Sequence, residues 1–242
     1  MSHLLFGIGH RKGFICLTGE VGSGKTTLCR ALLNQLGTSA QTALILNPAL
    51  SPGQLLRAIV SEFGLPTGRA DRFDLLKRLN EHLLAINADG GNAVLIIDEA
   101  QDLSVPALEM VRLLGNLETE QQKLLQIVLV GQPELRDTLA RPSLRQLAQR
   151  ITVRYHLGTL NAHETEGYLR HRLSKAGAGK DEDTTVRFDR SAVREIYRFS
   201  HGTARLINAI SDKALLAGYV YQTRTINRDL VRMAAREFRE AA

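Results

Sequence analysis

Residues 14–26 read Phe-Ile-Cys-Leu-Thr-Gly-Glu-Val-Gly-Ser-Gly-Lys-Thr, and this stretch decides the fold. Phe14 to Thr18 is an apolar run of strand length. Gly19 to Thr26 completes a Gly-x-x-x-x-Gly-Lys-Thr loop, and Thr27 to Leu36 carries a helical pattern. The strand–loop–helix order separates a phosphate-binding loop from a chance match. The glycines let the backbone curl until its N–H groups face a polyphosphate, and the helix N-terminus adds the positive end of its dipole. The predicted nucleotide-binding segment is therefore Gly19, Glu20, Val21, Gly22, Ser23, Gly24, Lys25, Thr26 and Thr27. Lys25 would reach the β- and γ-phosphates, and the Thr26 hydroxyl would hold Mg²⁺.

Outward from the loop, strands and helices alternate. Thr42–Asn47 reads as a second strand ending at Pro48. Ser51-Pro52 reads as an N-cap with proline at the first helical position, opening a helix to Phe63. Asp71–Asn87 is helical, with Phe73, Leu75, Leu76, Leu79, Leu83, Leu84 and Ile86 on one wide apolar stripe. Gly90-Gly91 breaks the chain. Ala93–Ile97 is a third strand, too apolar to face water on either side. Ser104 caps a helix through Leu117, and Leu124–Val130 is a fourth strand. Two short helices near Pro133 and Pro142 lead to a fifth strand, Ile151–His156. This alternation specifies an α/β domain with a five-stranded parallel sheet flanked by helices.

After Leu160 the pattern changes. Helices are predicted near Ala162–Ala176, Arg190–Phe199, Ala204–Gly218 and Asn227–Glu240, with a polar connector at Gly177–Thr185 and no convincing strand. The expected organisation is an α/β core over residues 1–158 and a small all-helical domain over 159–242.

A second motif, Val94-Leu-Ile-Ile-Asp98-Glu99, ends an apolar strand in two adjacent carboxylates. Such a pair can cap the following turn. With a phosphate loop upstream, Asp98 instead reads as the Mg²⁺ carboxylate and Glu99 as a general base acting on water. Four further positions stay open between two readings. Asn47 is a turn residue before Pro48 or a partner that restrains Glu99. Gln132 is a loop amide or a contact to the γ-phosphate. Arg145 and Arg150 are surface residues before a strand, or one of them reaches a γ-phosphate held by a neighbouring subunit. Arg205 is a solvated helix residue or a cation for the nucleotide. His156, His163, His171 and His201 show no metal-ligand spacing, so Mg²⁺ is the one metal expected.

Composition bounds the rest. The 242 residues are 44% hydrophobic and 23% charged, as in an ordinary folded chain. No apolar run approaches the roughly 18–20 residues of a membrane span. The brief apolar start (Leu4, Leu5, Phe6, Ile8) lacks preceding basic residues and is not a signal peptide. Cys16 and Cys29 read as core thiols in a reducing compartment. The net charge of +6 is compatible with nucleic acid. However, aromatic residues are 5% of the chain and do not alternate with basic ones, so nucleic acid is not the favoured partner.

With these residues in place the chain resembles the AAA+ ATPases. Within them it is similar to the ATPases of type II secretion and mannose-sensitive haemagglutinin pilus biogenesis. The resemblance rests on Arg11-Lys-Gly-Phe14, LTGEVGSGKTTLCRALL (17–33), LIIDEAQDLS (95–104), RLLGNLET (112–119), KLLQIVLVGQPELRDTL (123–139), LRQLAQRITVRYHL (144–157) and HGTARLIN (201–208). It implies a P-loop AAA+ core followed by a helical lid, with ATP and Mg²⁺ as cofactors and nucleotide held between core and lid. It makes Lys25 and Thr26 the phosphate and Mg²⁺ residues, Asp98 the metal carboxylate and Glu99 the catalytic base. Asn47 becomes the glutamate switch, Gln132 sensor 1 and Arg205 sensor 2. Arg150 is the first choice as arginine finger and Arg145 the second.

The resemblance also implies self-association into an oligomer, cytoplasmic location and partner proteins of envelope assembly, with inner-membrane anchoring of a longer protein. Relatives carry more chain before the first strand, which helps hold adenine. Here Met1-Ser2-His3 stands close to that strand, so an abridged or excised start with weak base recognition is expected. The secretion relatives continue into a membrane span and a periplasmic peptidoglycan-binding part, to which any cell-wall role would belong. Two other functions remain in competition with an oligomerising ATPase. One is a DNA-handling AAA+ protein of the transposition-regulator or initiator type, and the other a nucleotide-gated module with negligible turnover.

Overall fold

A computed structural model describes residues 1–37, 40–177 and 186–240. The elements in order are α1 (Ser2–Gly9), β1 (Phe14–Gly19), α2 (Lys25–Leu36), β2 (Ala40–Ile45), α3 (Pro52–Glu62), α4 (Arg72–Ala88), β3 (Asn92–Ile97) and α5 (Val105–Leu114). They continue with β4 (Leu125–Gly131), α6 (Glu134–Leu139), α7 (Arg145–Arg150), β5 (Ile151–Leu157), α8 (Ala162–Lys175), β6 (Arg187–Phe188), α9 (Arg190–Ser200), α10 (Ala204–Val220), β7 (Thr225–Ile226) and α11 (Arg228–Glu240). Single 3₁₀ turns at Ala100–Asp102 and Pro142–Leu144 precede α5 and α7.

The chain divides into two compact units. One comprises Met1–Val21 and Lys25–Leu157; the other comprises Gly158–Ala242, with Gly22–Gly24 counted alongside it. In the first unit five strands pair in parallel in the order β2-β3-β4-β1-β5. The three central strands are buried along nearly their whole length, whereas β5, after a buried Ile151, alternates exposed and half-buried positions as an edge strand does. Alternate side chains of each strand enter opposite layers. Phe14 and Cys16 of β1 join Leu95, Ile97, Ile127 and Leu129 under α3 to α7. Ile15 and Leu17 join Val94, Ile96, Val128 and Val130 under α1 and α2. The result is an α/β/α sandwich whose parallel strands all end on one side.

Local chemistry starts the helices as expected. Ser51 caps α3 in a capping box with Gln54, with proline in the first turn, and Asp71 caps α4 in a second box with Asp74. Each such cap contributes about 1 kcal/mol. Ser104 caps α5, but α5 stops at Leu114 instead of Leu117. The chain turns at Gly115, where an added Cβ would lie 2.2 Å from the Phe14 ring. The N-terminus adds an element for which no reading was made. Residues 2–9 form α1, with Leu4 and Ile8 buried in the core. Gly7 permits this, because a Cβ there would lie 2.8 Å from Ile15 Cδ1.

The second unit has its own core, built from Leu169, Ala192, Ile196, Ile207, Ile210, Ala214, Ile226 and Val231. It is not purely helical. β6 and β7 form a two-stranded parallel sheet, pairing Arg187 with Thr225 and Phe188 with Ile226. The connector read at Gly177–Thr185 lies outside the described residues except for Gly177. Gly202 has φ +77°, and a Cβ on it would fall 1.8 Å from the Leu160 carbonyl oxygen. The Leu160 N–H donates to the Gly202 carbonyl at 2.9 Å. The glycine of His201-Gly202-Thr203-Ala204-Arg205 is thus required by a backbone-to-backbone approach within this unit.

Candidate functional site

The strand order builds the site. In an open parallel sheet, ligands bind beyond the carboxyl ends of the strands. Here β4 lies between β3 and β1. The residues that follow β4 therefore stand between the phosphate loop after β1 and the carboxylate pair after β3.

Gly22 and Gly24 of the loop have φ of +77° and +99°, conformations that side-chain-bearing residues avoid. Lys25 opens α2 and is buried, its Nζ donating to the carbonyls of Gly19 at 2.8 Å and Glu20 at 3.1 Å. A buried ammonium needs such partners, since desolvation without them costs several kcal/mol. The lysine head is therefore held against the start of its own loop. The Ser23 hydroxyl is buried without a hydrogen-bond partner. An orphaned donor in this position suits an anionic ligand that would accept from it.

Asp98 is 2% exposed at the end of β3, where its N–H continues the ladder to the Ile45 carbonyl at 2.8 Å. Its Oδ2 accepts from the Thr26 hydroxyl at 2.7 Å and its Oδ1 from the Glu99 N–H at 2.9 Å. A hydroxyl and a carboxylate at this separation are hard oxygen donors of the kind Mg²⁺ takes, so the residues present fit that ion. Charge at this end of the sheet also reaches α2. Burial first, then the Asp98 carboxylate, with Lys25 opposing both, raises the Cys29 thiol to about 12. Cys16 in β1 is raised to about 11 by burial, against the Arg154 and Arg136 cations.

Glu99 has φ +50°, ψ +40°, a left-handed conformation uncommon for a residue with a side chain. Its Oε2 accepts from Gln101 Nε2 at 2.9 Å and from Gln132 Nε2 at 3.4 Å. Gln101 lies in the 3₁₀ turn that follows Glu99, and its Oε1 accepts the Gln132 N–H at 3.0 Å. The structure thus brings together Lys25, Thr26, Asp98, Glu99 and Gln132 and adds Gln101.

The other expected residues take different places. Asn47 is exposed, and its Oδ1 accepts the Ala49 N–H at 3.4 Å in a turn. Thr27 is an exposed residue of the first turn of α2. Arg150 ends α7, and its Nη1 donates to the Arg112 carbonyl at 3.3 Å and to the Asn116 side chain. Arg145 is exposed at the start of α7, and Arg205 is exposed in the first turn of α10 in the second unit.

Two features escaped the sequence. One is Gln101, whose signal was proximity to the acidic pair in Asp98-Glu-Ala-Gln101. The other is the hydroxyl of Thr18, which accepts from Arg136 Nε at 3.1 Å and lies 3.2 Å from His156 Nδ1. Arg136 lies on α6, four residues beyond Gln132.

Residues 8–139 match the model of a family described as AAA domain, and the chain belongs to that family. Nucleotide binding goes with the fold. Among its relatives is general secretion pathway protein A of Aeromonas hydrophila, to which the chain is 46% identical over 241 residues. The match covers 98% of this chain and 43% of that protein, so the chain spans less than half the length of this relative. Solved structures of similar shape include Cdc6p from Pyrobaculum aerophilum, with TM-score 0.75 and 19% identity over 98% of this chain and 65% of that one. The Aeropyrum pernix ORC2 protein in ADPNP–ADP complexes gives 0.68 and 18%, over 96% and 64%. The Thermotoga maritima RuvB Holliday junction branch migration motor gives 0.58 and 19%, over 96% and 66%. At these identities the likeness is one of fold. Among the described residues no helix is long and apolar enough to cross a membrane.

Proposed function

We propose that the chain is a Mg²⁺-dependent ATP-binding and hydrolysing AAA+ module of a bacterial envelope assembly system, of the type II secretion or type IV pilus-like kind. It acts as an oligomerising motor or switch. The observation that carries the nucleotide reading is the 2.7 Å bond from Thr26 to Asp98, with Glu99 next in sequence and Lys25 buried in the same loop. The envelope assignment rests on the relative's name and its 46% identity.

In this reading residues 1–158 are the nucleotide-binding core and 159–242 the lid. Gly19 to Thr27 hold the phosphates, with Lys25 as their cation. Thr26 and Asp98 hold Mg²⁺, which when bound neutralises charge on the phosphate oxygens. Glu99 takes a proton from the attacking water, and Gln132 orients the γ-phosphate or that water. Arg205 is the lid cation. Asn47 acts as a restraint on Glu99 by exchanging its Ala49 bond for the carboxylate. Arg150 serves a neighbouring subunit as the finger, with Arg145 second. Among the described residues both of its side-chain hydrogen bonds use one nitrogen, Nη1, and a guanidinium carries five donors in all, which suits it to a phosphate. Cytoplasmic location and anchoring of a longer protein to the inner membrane belong to the same proposal.

The test is ATP turnover against protein concentration, with mass measured by light scattering with and without ATP. Specific activity should climb with concentration and collapse in Arg150→Ala. Glu99→Gln should bind ATP normally and lose at least about 100-fold in turnover. Rapid hydrolysis by Glu99→Gln would refute the base assignment.

A net charge of +6 favours one second reading, a DNA-handling AAA+ ATPase of the transposition-regulator or initiator type. Duplex binding that weakens steeply with salt would support it. No duplex binding at low salt with ATP present would dismiss it.

A further inference from the structure

The group proposed as the base is not held by Asn47 in this structure. It is held by the amide of Gln101, a residue given no role from the sequence. We infer that Gln101 is a positioning residue for Glu99, tying its carboxylate to the end of β4 so that the base and the γ-phosphate contact at Gln132 move together. The inference rests on the hydrolytic reading above and deepens it.

Three observations carry it. First, both ends of the Gln101 side chain are used. Nε2 donates to Glu99 Oε2 at 2.9 Å, and Oε1 accepts the Gln132 backbone N–H at 3.0 Å. A primary amide can donate to a carboxylate through its nitrogen and accept from a backbone N–H through its oxygen at once. Second, the space for it is reserved. An added Cβ on Gly131 would lie 2.9 Å from Gln101 Oε1, so any larger residue at 131 would displace the amide from the strand end. Third, the backbone is bent to deliver it. Glu99 takes a left-handed conformation, and the Asp102 N–H donates to its carbonyl at 2.9 Å, closing the 3₁₀ turn that carries Gln101. Strain at a single non-glycine residue is retained where the surrounding structure demands it.

The consequence for the chemistry is directional. Gln101 and Gln132 donate to the same oxygen, Glu99 Oε2. That oxygen is occupied, and the carboxylate is fixed in rotation with Oε1 as its other face. A base so fixed meets the attacking water in one orientation, and loss of an ångström of alignment costs on the order of 100-fold. Because Gln101 is bonded to the backbone of residue 132, displacement of Gln132 by a phosphate oxygen would be felt by Glu99 through two amide links.

The test compares Gln101→Ala and Gln101→Met with the parent protein and with Gln132→Ala. It reads turnover and ATP affinity separately, at the concentration where the parent is most active. Methionine keeps the length and volume of the side chain and deletes both hydrogen bonds, so it answers the question even if the alanine variant fails to fold. The expected result is a turnover loss of about 10- to 100-fold for both variants with ATP affinity within twofold of the parent. The double change Gln101→Met with Gln132→Ala should lose less than the product of the single losses, since both amides hold one oxygen. Turnover of Gln101→Met within twofold of the parent would overturn the inference, as would equal loss of affinity and turnover or fully multiplicative effects. A parent without turnover at any concentration would sink the hydrolytic reading, and the inference with it. A parent that turns over beside an unaffected Gln101→Met would sink the Gln101 inference alone.

Discussion

The hydroxyl of Thr26 donates to the carboxylate of Asp98 across 72 positions of sequence, at 2.7 Å. One residue comes from the first turn of α2 and the other from the end of β3. The bond sets two side-chain oxygens side by side at the base of the glycine-rich loop, and Asp98 is almost wholly buried while making it.

Loss of either partner should therefore act on the metal before it acts on the nucleotide. ATP with Mg²⁺ should raise the melting temperature of the parent more than ATP with a chelator. In Thr26→Ala and Asp98→Asn this Mg²⁺ increment should vanish. A tenfold loss of affinity corresponds to about 1.4 kcal/mol of stabilisation. Parent-like Mg²⁺ dependence in both variants would remove these residues from the metal site.

The two buried thiols should resist alkylation at neutral pH while the protein is folded. Their pKa values are lifted to about 11 for Cys16 and about 12 for Cys29, from 9.0, by burial first. A thiol whose folded value is raised binds its proton more tightly in the native state. Its contribution is complete below about pH 9 and is lost as pH rises through the folded values. Melting curves between pH 8 and 11 should show a steeper alkaline fall for the parent than for the Cys16→Ala, Cys29→Ala double variant.

Gly202→Ala should destabilise the second unit by several kcal/mol. The positive φ and the contact with the Leu160 backbone both oppose a side chain, and neither neighbour is a flexible tip that can yield. Denaturant unfolding followed by far-ultraviolet dichroism would read the loss. A change under about 0.5 kcal/mol, the range of unremarkable surface substitutions, would contradict the geometry.

Glu195, buried on α9, sets the acid limit of the same unit. Its carboxylate accepts from Arg232 at 2.9 Å and stands within ion-pair distance of Arg228 and Arg198. The Arg232 hydrogen bond, against the cost of burial and with the charges of Arg232, Arg228 and Arg198, holds its pKa below the ordinary 4.5. A depressed carboxylate contributes stability above its unfolded value and loses it as pH falls through the folded one. The parent should lose stability below about pH 4.5, and Glu195→Gln should flatten that acid limb. At pH 7 the same variant should be less stable by about 1–2 kcal/mol, a figure kept low because the arginines are partly solvated. An unchanged acid limb would show that the carboxylate is not held as described.

Features that depend on neighbours in sequence were legible before the fold was known. The phosphate loop, the acidic end of β3 and the caps at Ser51, Asp71 and Ser104 are of this kind, since each needs only a few adjacent residues. Errors came where a distant residue decided a local outcome. No helix was read before the first strand, yet Gly7 lets α1 approach Ile15, and Phe14 sets the end of α5 at Gly115. The pair β6 and β7 is two residues long on each side. A strand that short has no periodicity to read and exists through a partner 38 positions away.

The sequence by itself determined the strand–loop–helix order at residues 14–36 and the α/β alternation, and it picked out Lys25, Thr26, Asp98, Glu99 and Gln132, which the fold brings to one end of the sheet, because strand runs, turns and caps are encoded locally. Tertiary structure alone decided that β4 inserts between β3 and β1, that Thr26 bonds Asp98 and that Gln101 rather than Asn47 holds Glu99. Those outcomes depend on which strand ends lie side by side. Crossover connections and the packing of two helical layers fix that order, and neither is written in any short stretch of chain.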